Sequence, residues 1–187
     1  MQPYGHRFEN MINTNFEHYK KMLNIKAVDV QTTSPLILAY IGDGIYDLAV
    51  REYVATNFPG SVNSINHKKT EFVCAHAQSE IMGWLIGQNR LNDDEMSVYR
   101  RGRNHKSSTH SKNSSIQDYR RATGFEALLG YLYLTEQYDR LIELEAAGIG
   151  HLQELLDTQG YVNPRKNKIA SEKIKAAKQS DSSDASD

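Results

Sequence analysis

Residues 36–51, LILAYIGDGIYDLAVR, place the tightest constraint on how this chain folds. Leu38, Ile41, Ile45 and Leu48 recur at helical spacing, which predicts one buried stripe on a helix. Asp43 sits about a quarter-turn or more off that stripe, between Gly42 and Gly44. A glycine inside a helix costs about 1 kcal/mol against alanine, so two of them beside one carboxylate have a reason. Either another backbone approaches closely there, or the acid needs a clear path to something that reaches it. Helix glycines that serve packing alone are the commoner case.

The rest of the chain carries the same period. Pro35 suits the first turn of this helix, since its fixed φ is preset and its missing N–H is not needed there. The spacing predicts a helix to about residue 56, stopped by Asn57-Phe58-Pro59-Gly60, and a second helical region over 64–88. Ile65, Phe72, Val73, Ile81, Trp84, Leu85 and Ile86 are the expected buried side of that region. Asn92 and Glu95 have capping-box spacing and open a short helix that ends near Gly102. Residues 103–115, rich in Ser, Asn and Lys, read as a loop. A strong helix follows over 117–136, with Phe125, Leu128, Leu129 and Leu132 as its apolar face. Two shorter helices, 141–144 and 149–156, are expected to break around Gly148 and Gly150. No strand pattern occurs, so the expected fold class is all-α.

With 187 residues, 39% of them hydrophobic, the chain has the material for one ordinary core. The single cysteine, Cys74, excludes an internal disulfide and a cysteine-based zinc site. Residues 1–10 lack the apolar core of a signal peptide, and no apolar run is long enough to cross a bilayer. The expectation is a cytoplasmic protein with no membrane partner. Residues 1–33 read as an N-terminal extension and 34–160 as the folded domain. Residues 161–187 form a tail, basic over 165–178 and then Ser/Asp-rich, expected to be disordered in isolation.

The formal net charge of −1 conceals segregation. Arg100, Arg101, Arg103, Lys106, Lys112, Arg120 and Arg121 fall within residues 99–121, where Asp118 is the sole acid. His67, Lys68 and Lys69 make a smaller cluster. Such a surface suits a polyanion, because released counterions drive binding to phosphate; the competing reading is a loop kept soluble by its charges. The run Arg100-Arg101-Gly102-Arg103-Asn104 favours the first, since guanidinium forks match phosphate oxygens. Glu126 lies one residue round from the apolar face of its helix and belongs at the core edge. It suits either a salt bridge to Arg120 or Arg121 or a metal ligand. Hard oxygen ligands from two helices beside phosphate-binding arginines are what Mg²⁺ chemistry on a phosphodiester requires.

Four ordered segments carry a resemblance. LAYIGDGIYDLAVREY, HKKTEFVCAHAQSEI, YRRGRNHKS and YRRATGFEALLGYLYL resemble Mini-ribonuclease III, the compact bacterial branch of the ribonuclease III family, over about residues 34–160. The resemblance implies an all-helical, homodimeric, ribonuclease III-type endonuclease that cleaves double-stranded RNA with Mg²⁺, or Mn²⁺ as a substitute, leaving 5′-phosphate ends. It implies Asp43 and Glu126 as catalytic and metal-binding acids. It also implies the large-subunit ribosomal RNA precursor as substrate, with help from a large-subunit ribosomal protein.

The departures from longer relatives are specific. Two glutamates of their signature correspond to Leu36 and Ala39, and an aspartate three residues before the last glutamate corresponds to Thr123. Asp47, one turn after Asp43, and Thr123 become candidates for supporting positions around the metal. For Asp47, an exposed acid or an interface salt bridge is the competing role. The 27 residues after position 160 are too few for a separate double-stranded RNA-binding domain. RNA affinity is therefore expected from Lys68, Lys69, Arg100, Arg101, Arg103, Asn104, Lys106 and Lys112. The rival reading is a non-catalytic RNA-binding or ribosome-assembly module on the same fold.

Overall fold

The computed structural model describes residues 18–105 and 115–159. These fall into two compact units that divide between Thr32 and Thr33. In the first, a short helical stretch over 18–22 ends at Asn24, whose φ of 51° is left-handed. Asp29 then ties a turn, accepting from Gln31 N and Thr32 Oγ1, both at 2.9 Å.

The second unit is built from six helices among the described residues, with no strand. They are α1 (Pro35–Asn57), α2 (Val62–Val73), α3 (Ala75–Gly87), α4 (Asp93–Arg103), α5 (Ile116–Leu134) and α6 (Tyr138–Gln159). Helix α5 packs against α1, α3, α4 and α6, and its Phe125, Leu128, Leu129 and Leu132 are fully buried. Tyr46 of α1 meets Phe125 edge-on at 5.2 Å, and its hydroxyl donates to the Phe72 carbonyl at 3.3 Å. The all-helical expectation holds.

Local chemistry explains the boundaries. Ser34 caps α1 by accepting from Leu36 N, with Pro35 in the first turn, and Phe58 closes the helix with its N–H on Val54 O. The Asn92–Glu95 box forms in both directions at 2.9 Å. Glu95 also takes two bonds from Arg140, at 2.7 and 3.0 Å, which pins the start of α4 to α6. Burial works against that carboxylate, but Arg140 and the Asn92 N–H hold it below the usual range.

Three expectations are corrected. On α1 the buried face is Leu38, Ala39, Gly42, Tyr46, Val50 and Val54, whereas Leu48 is 66% exposed. The stripe is rotated because α5 approaches so closely that glycine, not isoleucine, must face it. The region over 64–88 is two helices, broken at Cys74, whose ψ of 153° is extended. No Pro or Gly marks that break, and apolar residues continue through it. Conversely, α6 does not break: Gly148 lets it lie against Ile81, where a Cβ would sit 2.7 Å from Cγ2.

Candidate active site

Two glycines set the geometry of the site. A Cβ on Gly42 would overlap the carbonyl oxygen of Glu126 and come within 2.7 Å of Gly130 N. A Cβ on Gly130 would overlap the Leu38 carbonyl. Helices α1 and α5 therefore cross backbone to backbone, and Asp43, next to Gly42, is carried to the turn of α5 that bears Glu126. Gly44 differs, since nothing lies within 4 Å of its Cβ position. Of the two reasons that the sequence offers, Gly42 meets the close approach and Gly44 faces open space.

Asp43 is exposed and Glu126 is partly withdrawn from solvent. Burial foremost, and then the Asp43 charge, push the Glu126 carboxyl up to about 8, against the pull of Gln78. Asp43 is also raised, by burial and by Asp47, with Lys69 opposing. Two carboxylates on different helices thus lie within electrostatic range of one another in a setting that disfavours their joint ionisation. A divalent cation reverses that balance, and this donor set fits one. Among the described residues no cluster of three or more acidic, histidine or cysteine side chains gathers to hold a metal. Mg²⁺ commonly takes one or two carboxylates and completes its shell with waters and phosphate oxygens.

Gln78, which sequence reasoning overlooked, supports this pair from α3. Its side chain is 1% exposed and acts on Glu126, yet its Nε2 reaches no full hydrogen bond. The signal in the sequence was only a polar residue where the α3 pattern calls for an apolar one.

The two supporting candidates are otherwise engaged. Asp47 accepts from Lys69 Nζ at 2.6 Å and pairs with Arg51. Burial opposes its charge, but these partners hold it below the usual carboxylate range. Thr123 is buried and donates its hydroxyl to the Tyr119 carbonyl at 3.0 Å.

The basic residues separate into two groups. Lys69 is bound to Asp47, while Lys68 pairs with Glu71 at 3.1 Å and lies 4.6 Å over the Phe58 ring. The cluster at 67–69 is therefore not a free one. The arginines of α4 are placed differently. Gly102 and Gly124 form a second close crossing, where a Cβ on Gly102 would lie 3.0 Å from Gly124 Cα and 3.1 Å from the Thr123 carbonyl. That crossing holds the last turn of α4 against the segment of α5 leading to Glu126. Arg100 and Asn104 there are exposed; Arg103 lies over the Tyr99 ring and donates to Asn104 Oδ1 at 3.2 Å. Arg101 is partly buried in the same turn. Lys106 and Lys112 lie outside the described residues.

Comparison with known proteins adds a family. Residues 36–137 match the ribonuclease III domain. A Mini-ribonuclease 3 of Clostridium tetani is 44% identical over 133 residues, 71% of this chain and 87% of the relative. One from Enterococcus faecalis is 41% identical, over 62% and 88% of the two chains, and one from Staphylococcus aureus 36%, over 60% and 84%. The crystal structure of a Fusobacterium nucleatum protein superposes with a TM-score of 0.58 at 28% identity, covering 66% of this chain and 97% of the other.

Proposed function

The chain belongs to the ribonuclease III family, in its Mini-ribonuclease 3 branch, and from that premise we propose that Asp43 and Glu126 form its metal-dependent catalytic centre. The protein is an endoribonuclease acting on double-stranded RNA. The observation that carries the site assignment is the Gly42–Gly130 crossing, which brings the turn of α1 bearing Asp43 against the turn of α5 bearing Glu126, within range of the Asp43 charge.

Asp43 and Glu126 would hold Mg²⁺, for which Mn²⁺ would substitute. When bound, the cation supplies an activated water and neutralises charge on the scissile phosphate. Glu126 would release its proton on holding the cation, and buried Gln78 lies beside it to favour the charged form. Arg100, Arg101, Arg103 and Asn104 grip phosphates of the duplex on the adjoining edge of α4–α5, and Lys106 and Lys112 extend that grip. Lys68 and Lys69 contribute through the ordering of Asp47 and α2 more than through free charge. Residues 34–160 are the catalytic unit.

The assembly is a homodimer through the outer face of α1. Ile37, Tyr40 and Leu48 are 52%, 82% and 66% exposed and follow one another along that helix past the open Gly44. Large apolar side chains in one contiguous patch favour a protein partner. The substrate is the double-helical stem of the large-subunit ribosomal RNA precursor, with a large-subunit ribosomal protein as helper. No described helix is long and apolar enough to cross a membrane, and we place the enzyme in the cytoplasm.

Cleavage of a long duplex RNA with and without Mg²⁺ tests the centre. Asp43→Asn and Glu126→Gln should each reduce cleavage at least a thousandfold while RNA binding persists. Wild-type-like cleavage by either variant sinks the assignment. A faster rate on the ribosomal precursor stem than on an arbitrary duplex of equal length tests the substrate.

A further inference from the structure

A cleft of about 510 Å³ opens between the C-terminal half of α1 and the middle of α6. It lies about three turns along α1 from Asp43 and on another flank of that helix. Ala49, Tyr53, Ile142 and Ile149 give it apolar walls, while Glu52 and Glu145 are the only acids lining it. No lysine, arginine or histidine among the described residues lines it.

Glu145 is the anomaly. The residue is 7% exposed, and its Oε1, closed off from solvent, has no hydrogen-bond partner. Burial raises its carboxyl to about 7, and no neighbouring cation opposes the rise. After burial itself, the Glu145 charge is also what pushes the Tyr46 phenol upward, but that hydroxyl is committed to the Phe72 carbonyl. An unpaired buried carboxylate costs several kcal/mol in its charged form, and a leucine or glutamine at this position would avoid that cost.

We infer that this cleft binds an aliphatic polyamine, with one ammonium on Glu145, methylenes along Tyr53, Ile142 and Ile149, and a second ammonium at Glu52. The volume lies within the usual range for small-molecule sites. The apolar walls between two acids select an alkyl chain carrying spaced positive charges over a bare metal ion, which needs several converging oxygens. The ligand class complements the enzyme without sharing its catalytic groups.

Spermidine is titrated into the full-length chain without RNA, at constant ionic strength, by calorimetry and by methyl NMR. One saturable site is expected, with shifts at the Ala49, Ile142 and Ile149 methyls, and 1,8-octanediol, which has a chain but no charge, should not bind. Glu145→Gln should weaken spermidine at least tenfold and leave cleavage in its absence unchanged. Ile142→Lys, at an exposed lip position, should likewise abolish binding by supplying its own ammonium, so the outcome does not depend on one variant folding. Equal affinity in both variants, or shifts confined to the Asp43–Glu126 side, overturns the proposal.

Discussion

Glu126 keeps its proton near neutral pH because burial and Asp43 both oppose its charge, and this has a thermodynamic signature. Between its ordinary value of 4.5 and about 8, the folded metal-free chain holds a proton that the unfolded chain has released. Stability from this group is therefore present at the acid end and declines as pH rises through that window, levelling above 8. Glu145 acts in the same sense up to about 7. Each contributes a slope of at most about 1.4 kcal/mol per pH unit. Urea denaturation of the metal-free protein at pH 5.5 and pH 8 should show the decline, Glu126→Gln and Glu145→Gln should each flatten it, and Mg²⁺ should offset it most at the higher pH. Asp47, Glu95 and Asp118 have lowered values, so their contribution is lost as pH falls from the usual carboxylate range toward those lower values. Asp43 and Glu126, the proposed pair, stood out in the sequence because each lies off the apolar face of its helix, and the resemblance joined them. Gln78 and Glu145 did not, because burial of a polar side chain depends on which helix covers it.

At the scale of the helices, close crossings decide more than apolar pattern does. Leu38, Ile41, Ile45 and Leu48 share a plausible stripe, yet the face that packs is centred on Gly42. Hydrophobicity ranks glycine too low to reveal a seam where main chains touch, and the same blindness made Gly148 look like a helix end. The Cys74 break was hidden for the opposite reason, since its extended conformation has no residue-type marker. The start of α1, the capping box of α4 and the span of α5 were legible, being fixed by local chemistry. Paired substitutions expose the distinction. Gly42→Ala forces a methyl into the Glu126 carbonyl and should cost at least about 2 kcal/mol. Within one chain Gly44→Ala meets open space, so in the Leu48→Glu background, where the proposed pairing face is blocked, it should change stability by no more than about 1 kcal/mol, in the stabilising direction. Chemical denaturation of the two variants measures both.

For the molecule as a whole, two surfaces carry the proposed outward-facing functions. Leu48→Glu sets a charge in the exposed apolar row of α1 and should convert the proposed dimer to monomer without unfolding it, as read by sedimentation and circular dichroism. The arginine edge is the surface proposed to meet the polyanion. Replacing Arg100, Arg101 and Arg103 by Gln should weaken duplex RNA binding and reduce the slope of log affinity against log salt by roughly two to three; an unchanged slope means that the edge is only solvated. The Gly42–Gly130 crossing reaches further than the fold. The spacing of the two acids is fixed by main chain resting on main chain, with no side chain interposed as a shim. Exchanges elsewhere in the core can then raise or lower heat tolerance while the acids keep their alignment, so lineages living at different temperatures are free to retune durability without rebuilding the chemistry.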